Sequence, residues 1–230
     1  FFDSQNENIK WGEVSCLCDS FPIVEGILYL KKDGFKNRTS TDYLRENYFS
    51  KALSVLFEER RRAKIPYFIL LFLFQKGFTL PFSFFMFFLQ VFIPESKLWF
   101  QHILNRYKRP TFFLSLTTLS YCKEKSVIVD IGCSVNWFFS YFFKKWQKST
   151  LIGVDSSWSA LFLARKYFVN SKVDLICADA NLGIPLKNGV ADCITVNDTF
   201  MYIQKKKMIV KVFLRVGKKS LKVFLSHVHN

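Results

Sequence analysis

Four short segments in the second half of the chain combine carboxylates, a glycine and small polar residues in a pattern suited to holding a nucleotide. The first reads Asp130-Ile131-Gly132-Cys133-Ser134-Val135-Asn136. A glycine there lets backbone approach a ligand closely, and a helix beginning near Trp137 offers its N-terminal N–H groups. Asp155 follows 23 residues after Gly132. A carboxylate at that point can accept both hydroxyls of a ribose. Asp179-Ala180 and Asn197-Asp198-Thr199-Phe200 complete the set. A dehydrogenase-type dinucleotide site would place Gly-x-Gly-x-x-Gly directly after its first strand. This chain has Gly132 alone there, with an acid ahead of it.

These residues can act together only if strands end where they stand. From Ser126 onward, short apolar runs alternate with helical patterns. Val127–Ile131, Leu151–Val154, Val173–Cys177, Cys193–Val196 and Leu221–Leu225 read as strands. Trp137–Trp146, Ser159–Phe168 and Lys205–Val216 read as the helices between them. This spacing implies right-handed crossovers and a mostly parallel sheet with helices on both faces, an α/β fold. Ligands of such sheets bind beyond the carboxyl ends of the strands, where all four segments fall.

Taken in order, the segments resemble a known family. Val127-Ile128-Val129-Asp130-Ile131-Gly132-Cys133 looks like the first motif of the class I S-adenosylmethionine-dependent methyltransferases. In the small-molecule, type 11-like members that motif reads hydrophobic-Asp-hydrophobic-Gly-Cys-Gly. Leu151-Ile152-Gly153-Val154-Asp155-Ser156-Ser157 is similar to the second motif. Asp179-Ala180, Ile184-Pro185-Leu186 and Gly189-Val190-Ala191-Asp192-Cys193-Ile194 resemble the third motif and fourth strand, and Leu214-Arg215-Val216-Gly217-Lys218-Lys219 a degraded helix-to-strand turn. The resemblance covers residues 111–230 and implies a Rossmann-like sheet with S-adenosyl-L-methionine lying across the strand ends. It implies Asp130, Gly132 and Cys133 by the methionine portion, Asp155 on the ribose, and Asp179 with the Ala180 backbone on the adenine. Asn197, at the end of the fourth strand, would face the sulfonium and the acceptor, and is the catalytic candidate. Ser134 and Asn136 stand where the family carries later glycines. Asn tolerates positive φ, whereas Ser134 places a Cβ where close backbone approach is wanted.

Cys16-Leu17-Cys18 followed by Phe21–Leu30 is similar to the tail of a Trm112-like zinc-ribbon module, so residues 1–40 read as a small remnant of one. Tetrahedral zinc needs four ligands, and only this cysteine pair stands here, so no metal site is expected. The six cysteines (Cys16, Cys18, Cys122, Cys133, Cys177, Cys193) are scattered, and reduced thiols in a cytoplasmic protein are the expectation. His227 and His229 follow the last strand, where an acceptor-side base could sit, and His102 has no evident partner.

Residues 41–110 read as a helical hydrophobic cap or linker. A helix over Thr41–Lys64 is stopped by Pro66, and residues 67–93 are the most apolar part of the chain. A spanning helix needs about 20 apolar residues in a row. Gln75, Lys76, Gly77 and Pro81 interrupt this run. Two buried helices covering an acceptor pocket are expected. The alternative is a hairpin in peripheral contact with a membrane, beside Arg60-Arg61-Arg62 and Lys64.

Composition sets the remaining bounds. The 230 residues are 50% hydrophobic, which excludes a disordered chain, and 28 of them are Phe. Lys+Arg 33 against Asp+Glu 18 gives a formal charge of +15; 17 of the bases and 7 of the acids lie in residues 111–230. A basic face of that kind suits nucleic acid. Nucleic-acid amino methyltransferases, however, resemble Asn/Asp-Pro-Pro-Tyr/Phe after the fourth strand, and Asn197-Asp198-Thr199-Phe200 lacks the prolines. The expected function is methyl transfer to a small or lipophilic acceptor. An RNA methyltransferase using the basic face, and a non-catalytic methyltransferase-like binding module, are the alternatives. In the family two further strands follow the one at Leu221–Leu225, so the sheet is expected to be truncated after its fifth strand, with an exposed edge.

Overall fold

The structure, a computed structural model, describes residues 9–17, 19–31, 39–57, 64–92, 110–136 and 148–226, with 97, 101, 105 and 139 singly. Three strands lie near the N-terminus: β1 (Trp11–Ser15), β2 (Ser20–Val24) and β3 (Ile27–Tyr29). Five follow in the second half: β4 (Val127–Ile131), β5 (Thr150–Asp155), β6 (Val173–Cys177), β7 (Ala191–Asn197) and β8 (Gly217–Ser226). All eight form one open sheet in the order β1-β2-β3-β6-β5-β4-β7-β8. Every pairing from β3 to β8 is parallel, so their carboxyl ends share one edge. The chain leaves β4 toward β5 on one side and reaches β7 on the other. The β4 end is therefore the switch point at which such sheets take ligands.

The apolar run Phe21–Leu30 forms two strands. It folds into the β2–β3 hairpin, with Glu25 (φ 54°) and Gly26 (φ 71°) turning left-handed between them. Strand β1 completes an antiparallel meander. β3 then adds to the edge of β6, pairing Leu28 with Ile176, so the first 30 residues extend the same sheet that carries the strand-end loops. The hairpin turn is fastened by buried charge. Lys166 Nζ lies 2.5 Å from Glu25 Oε2, and Arg165 donates to the carbonyls of Gly26 (3.1 Å) and Val173 (2.7 Å). Burial lowers the pKa of both Lys166 and Arg165, and nearby Glu25 opposes that shift in each.

The expected helix over Thr41–Lys64 is broken. α1 (Ser40–Arg45) is opened by a reciprocal cap: Thr39 Oγ1 accepts from the Asp42 N–H and the Thr39 N–H donates to Asp42 Oδ2. Asn47 (φ 61°) then turns the chain into α2 (Phe49–Leu56). α3 (Lys64–Gln75) and α4 (Phe82–Phe92) are separated by Gly77 (φ 80°) and Pro81. No helix among the described residues is long and apolar enough to cross a membrane. α5 (Pro110–Leu119) precedes β4. α6 (Trp158–Leu163) runs into a π-helical turn over Ala164–Phe168, and α7 (Lys206–Val216) leads into β8.

Two apolar layers sandwich the sheet. One joins Ile128, Leu151 and Val173 to α1, α2, α3, α4 and α6; the other joins Val129, Ile131, Val154 and Ile194 to α7. α3 and α4 pack on the π-helical turn that follows α6. Phe74, Phe82 and Phe85 pack on Tyr167, and Phe82 also on Phe168. Cys16 is disulfide-bonded, against the expectation of reduced thiols, whereas Cys122, Cys133, Cys177 and Cys193 are thiols. Cys18, His102, His227, His229 and, apart from Phe139, the predicted helix Trp137–Trp146 lie outside the described residues.

Candidate functional site

The loop leaving β4 folds back over the end of β5. The N–H groups of Gly132 and Cys133 both donate to the Val154 carbonyl, at 2.8 and 3.2 Å. Gly132 (φ 72°), Ser134 (φ 52°) and Asn136 (φ 54°) are all left-handed, a backbone that suits glycine at each position. Gly132 has a second constraint, because a Cβ built on it would lie 2.1 Å from Thr199 Oγ1. Ser134 and Asn136 hold the same conformation at a strain of roughly 1–3 kcal/mol each. Asn136 is fully buried, and its Nδ2 has no hydrogen-bond partner. It occupies the space Gly153 leaves open, 2.4 Å from where a Cβ on Gly153 would be.

Asp155, on the neighbouring parallel strand, is aimed by backbone. Its Oδ2 accepts from the Ser134 N–H (2.8 Å) and its Oδ1 from the Ser157 N–H (2.7 Å). This carboxylate thus ties the β4 loop to the β5 loop. Asp130 lies deeper, 3% exposed, and accepts from Thr195 Oγ1 at 2.8 Å across to β7. Asp179 caps the 3-10 turn Ala180–Leu182 through Asn181 N–H and Nδ2, at 2.9 and 3.0 Å. Cys133 is buried under the β4 loop. Asn197 ends β7, where its Oδ1 accepts from Ser226 Oγ (2.7 Å) and from Ser115 Oγ. The sheet therefore brings Asp130, Gly132, Cys133, Asp155, Asp179, Ala180 and Asn197 to one edge, at the ends of four adjacent strands.

Residues 129–225 match the family profile described as "Methyltransferase domain". That stretch of the chain is similar to a methyltransferase domain. No curated protein matches the chain. Solved structures resemble it in part. One is a complex between the Haloferax volcanii Trm112 methyltransferase activator and a methyltransferase (15% identity, 48% of this chain and 50% of that one, TM-score 0.44). Another is the plantazolicin methyltransferase BpumL with a pentazolic desmethylPZN analogue and SAH (22%, 56% and 52%, TM-score 0.46). A third is an Aquifex aeolicus SAM-dependent methyltransferase (17%, 51% and 66%, TM-score 0.41). The chain spans about half the length of the first two. At such TM-scores these likenesses bear on neither substrate nor partner.

Several residues that shape the strand-end edge escaped the sequence reading. Thr199 Oγ1 is within reach of the carbonyls of Asn197 (3.0 Å) and Gly132 (3.4 Å), and bridges the first and fourth loops. Asn181 Oδ1 accepts from the Gln204 N–H at 2.8 Å, joining the third loop to the segment entering α7. Ser115 comes from α5, outside the matched segment. Lys31, just past β3, donates to the Ser156 carbonyl at 3.2 Å and so reaches the loop that carries Asp155. Small polar residues of this kind have no spacing signature. Only Thr199 stood in a segment already singled out.

Proposed function

We propose that the chain transfers the methyl group of S-adenosyl-L-methionine to a small or lipophilic acceptor at the carboxyl ends of β4 and β7. The observation that supports this most is the left-handed loop Gly132–Asn136 beside Asp155 on the adjoining parallel strand, joined to it through the Ser134 N–H. The residues fit the donor's chemistry: two carboxylates, Asp130 and Asp155, stand beside the loop to meet a cationic ligand bearing vicinal hydroxyls. When bound, the donor supplies an electrophilic methyl on a sulfonium; its transfer leaves a neutral thioether, and the acceptor forms the new bond and releases any proton it carried to water.

The chain's own work is binding and aim. Asp155 accepts the ribose hydroxyls; an ionised carboxylate offers about four acceptor positions, so two backbone donors orient it without exhausting it. Gly132 and Cys133 admit the methionine portion against backbone, with the buried carboxyl of Asp130 beneath. Asp179 and the Ala180 backbone hold the adenine edge. Asn197, held from α5 and β8, orients the acceptor. Fixing two reactants in line can contribute about 7–11 kcal/mol toward the barrier.

The RNA reading draws on Lys205, Lys206, Lys207, Lys211 and Lys219, all exposed on or beside α7 and β8. Part of that face is also engaged within the protein. Arg215 is spent on the carbonyls of Ile184 and Leu186, Lys218 on Asp192 at 2.7 Å, and Lys222 on the Tyr121 carbonyl. Titration calorimetry with S-adenosylmethionine and S-adenosylhomocysteine tests the proposal. Both give heat, and Asp155→Asn weakens both by about tenfold, the loss of one charge-assisted hydrogen bond. No heat at millimolar ligand would leave a non-catalytic binding module, and salt-sensitive retention of RNA would favour the RNA reading.

A further inference from the structure

The α3–α4 hairpin turns phenylalanine toward water on a defined face. On α4, Phe84, Phe87, Phe88 and Val91 recur at i, i+3, i+4 and i+7 and are 51%, 64%, 36% and 65% exposed. Phe85, Met86 and Leu89 behind them are buried. On α3, Ile69 and Phe72 (36% and 59% exposed) lead at the same spacing to exposed Lys76, whose Nζ lies 6.0 Å from the Phe72 ring centroid. Phe78, between the helices, is 67% exposed. A surface helix ordinarily sets polar side chains opposite its core stripe. Here the outer stripe is as apolar as the inner one.

Charge selects what meets that stripe. In sequence, residues 60–110 hold nine Lys and Arg and one acid, Glu95. A second copy of this chain would bring another +15 to the same place. An anionic bilayer instead offers acyl chains to the rings and phosphates to the bases. Lys76, in line with Ile69 and Phe72, suits that boundary, because its stem lies along apolar surface while its ammonium reaches the headgroups.

We propose that the α3–α4 hairpin is a docking surface for an anionic lipid bilayer, lying in the interface with Phe72, Phe78, Phe84, Phe87 and Phe88 at the acyl boundary. It does not rest on the methyl-transfer reading.

Vesicle flotation of the full chain tests it. The chain floats with vesicles of equal parts phosphatidylcholine and phosphatidylglycerol, more weakly with phosphatidylcholine alone, and less at high salt than at low. Phe87→Ser and Phe88→Ser each lower partitioning about tenfold. Lys76→Glu, which removes no apolar packing, also weakens it and serves should either serine variant lose its wild-type circular dichroism. Failure of the folded chain to float with anionic vesicles overturns the proposal, and so does flotation unchanged by all three substitutions. Self-association in sedimentation that the serine variants abolish, without vesicle binding, overturns it in favour of a second copy.

Discussion

Gly132 and Thr199 approach so closely at the strand-end edge that a side chain on the first would collide with the second. A Cβ on Gly132 would lie 2.1 Å from Thr199 Oγ1 and 2.5 Å from Thr199 Cβ. Gly132 also needs φ 72°. Gly132→Ala is therefore expected to cost about 2–4 kcal/mol in urea unfolding, from strain and overlap together. Thr199→Ala in the same chain leaves the 2.5 Å contact and does not restore stability. Full rescue by Thr199→Ala would show that the loop yields more easily than its contacts indicate.

Ser134 carries a Cβ in a left-handed position, and Ser134→Gly relieves that strain at some cost in unfolded-chain entropy. The net is expected to be a gain of about 0.5–1 kcal/mol, read as a rise of a few degrees in melting temperature. Its N–H still reaches Asp155, so donor binding is retained or tightened in calorimetry. A lower melting temperature would contradict this account of the loop.

Ser115 and Ser226 both reach the Oδ1 of Asn197, from α5 and β8 respectively. Ser115→Ala and Asn197→Ala are expected to be coupled by about 0.5–1.5 kcal/mol in a double-mutant cycle followed by urea unfolding. Ser115→Ala alone should leave the affinity for S-adenosylhomocysteine unchanged, because Ser115 meets Asn197 at the end of β7. Strict additivity would mean that the Ser115 hydroxyl does not hold the amide.

Glu13 on β1 accepts two hydrogen bonds from Arg45 on α1, at 2.9 and 2.5 Å. This pairing, with smaller help from Ser20 and Ser15, holds its carboxyl down at about 2, below the usual 4.5. A depressed carboxylate contributes stability that is fully present above pH 4.5 and lost as pH falls toward about 2. Glu13→Gln should therefore flatten the acid limb of the stability curve in that window, lowering stability at neutral pH and changing little near pH 2. An unchanged acid limb would count against the pairing.

The sequence by itself determined the strands β4 to β8, the crossovers between them, and the acids and glycine at their ends. Those features are local: apolar runs, turn residues and motif spacing each lie within a few tens of residues. Even the departures at Ser134 and Asn136 were legible, because glycine is the usual solution for a left-handed backbone. Tertiary structure decided what joins over long separations. Leu28 pairs with Ile176, Ser115 meets Asn197, and Lys31 reaches Ser156. An edge strand shows in its own residues that it is a strand and not which neighbour it will pair with. Tertiary structure also set α3 and α4 against the π-helical turn after α6 while α5 reached Asn197, a choice that the undifferentiated apolarity of residues 67–93 could not express. Where both faces of a helix are apolar, only packing decides which one is buried. On α4 it buried Phe85, Met86 and Leu89 and left Phe84, Phe87 and Phe88 facing out.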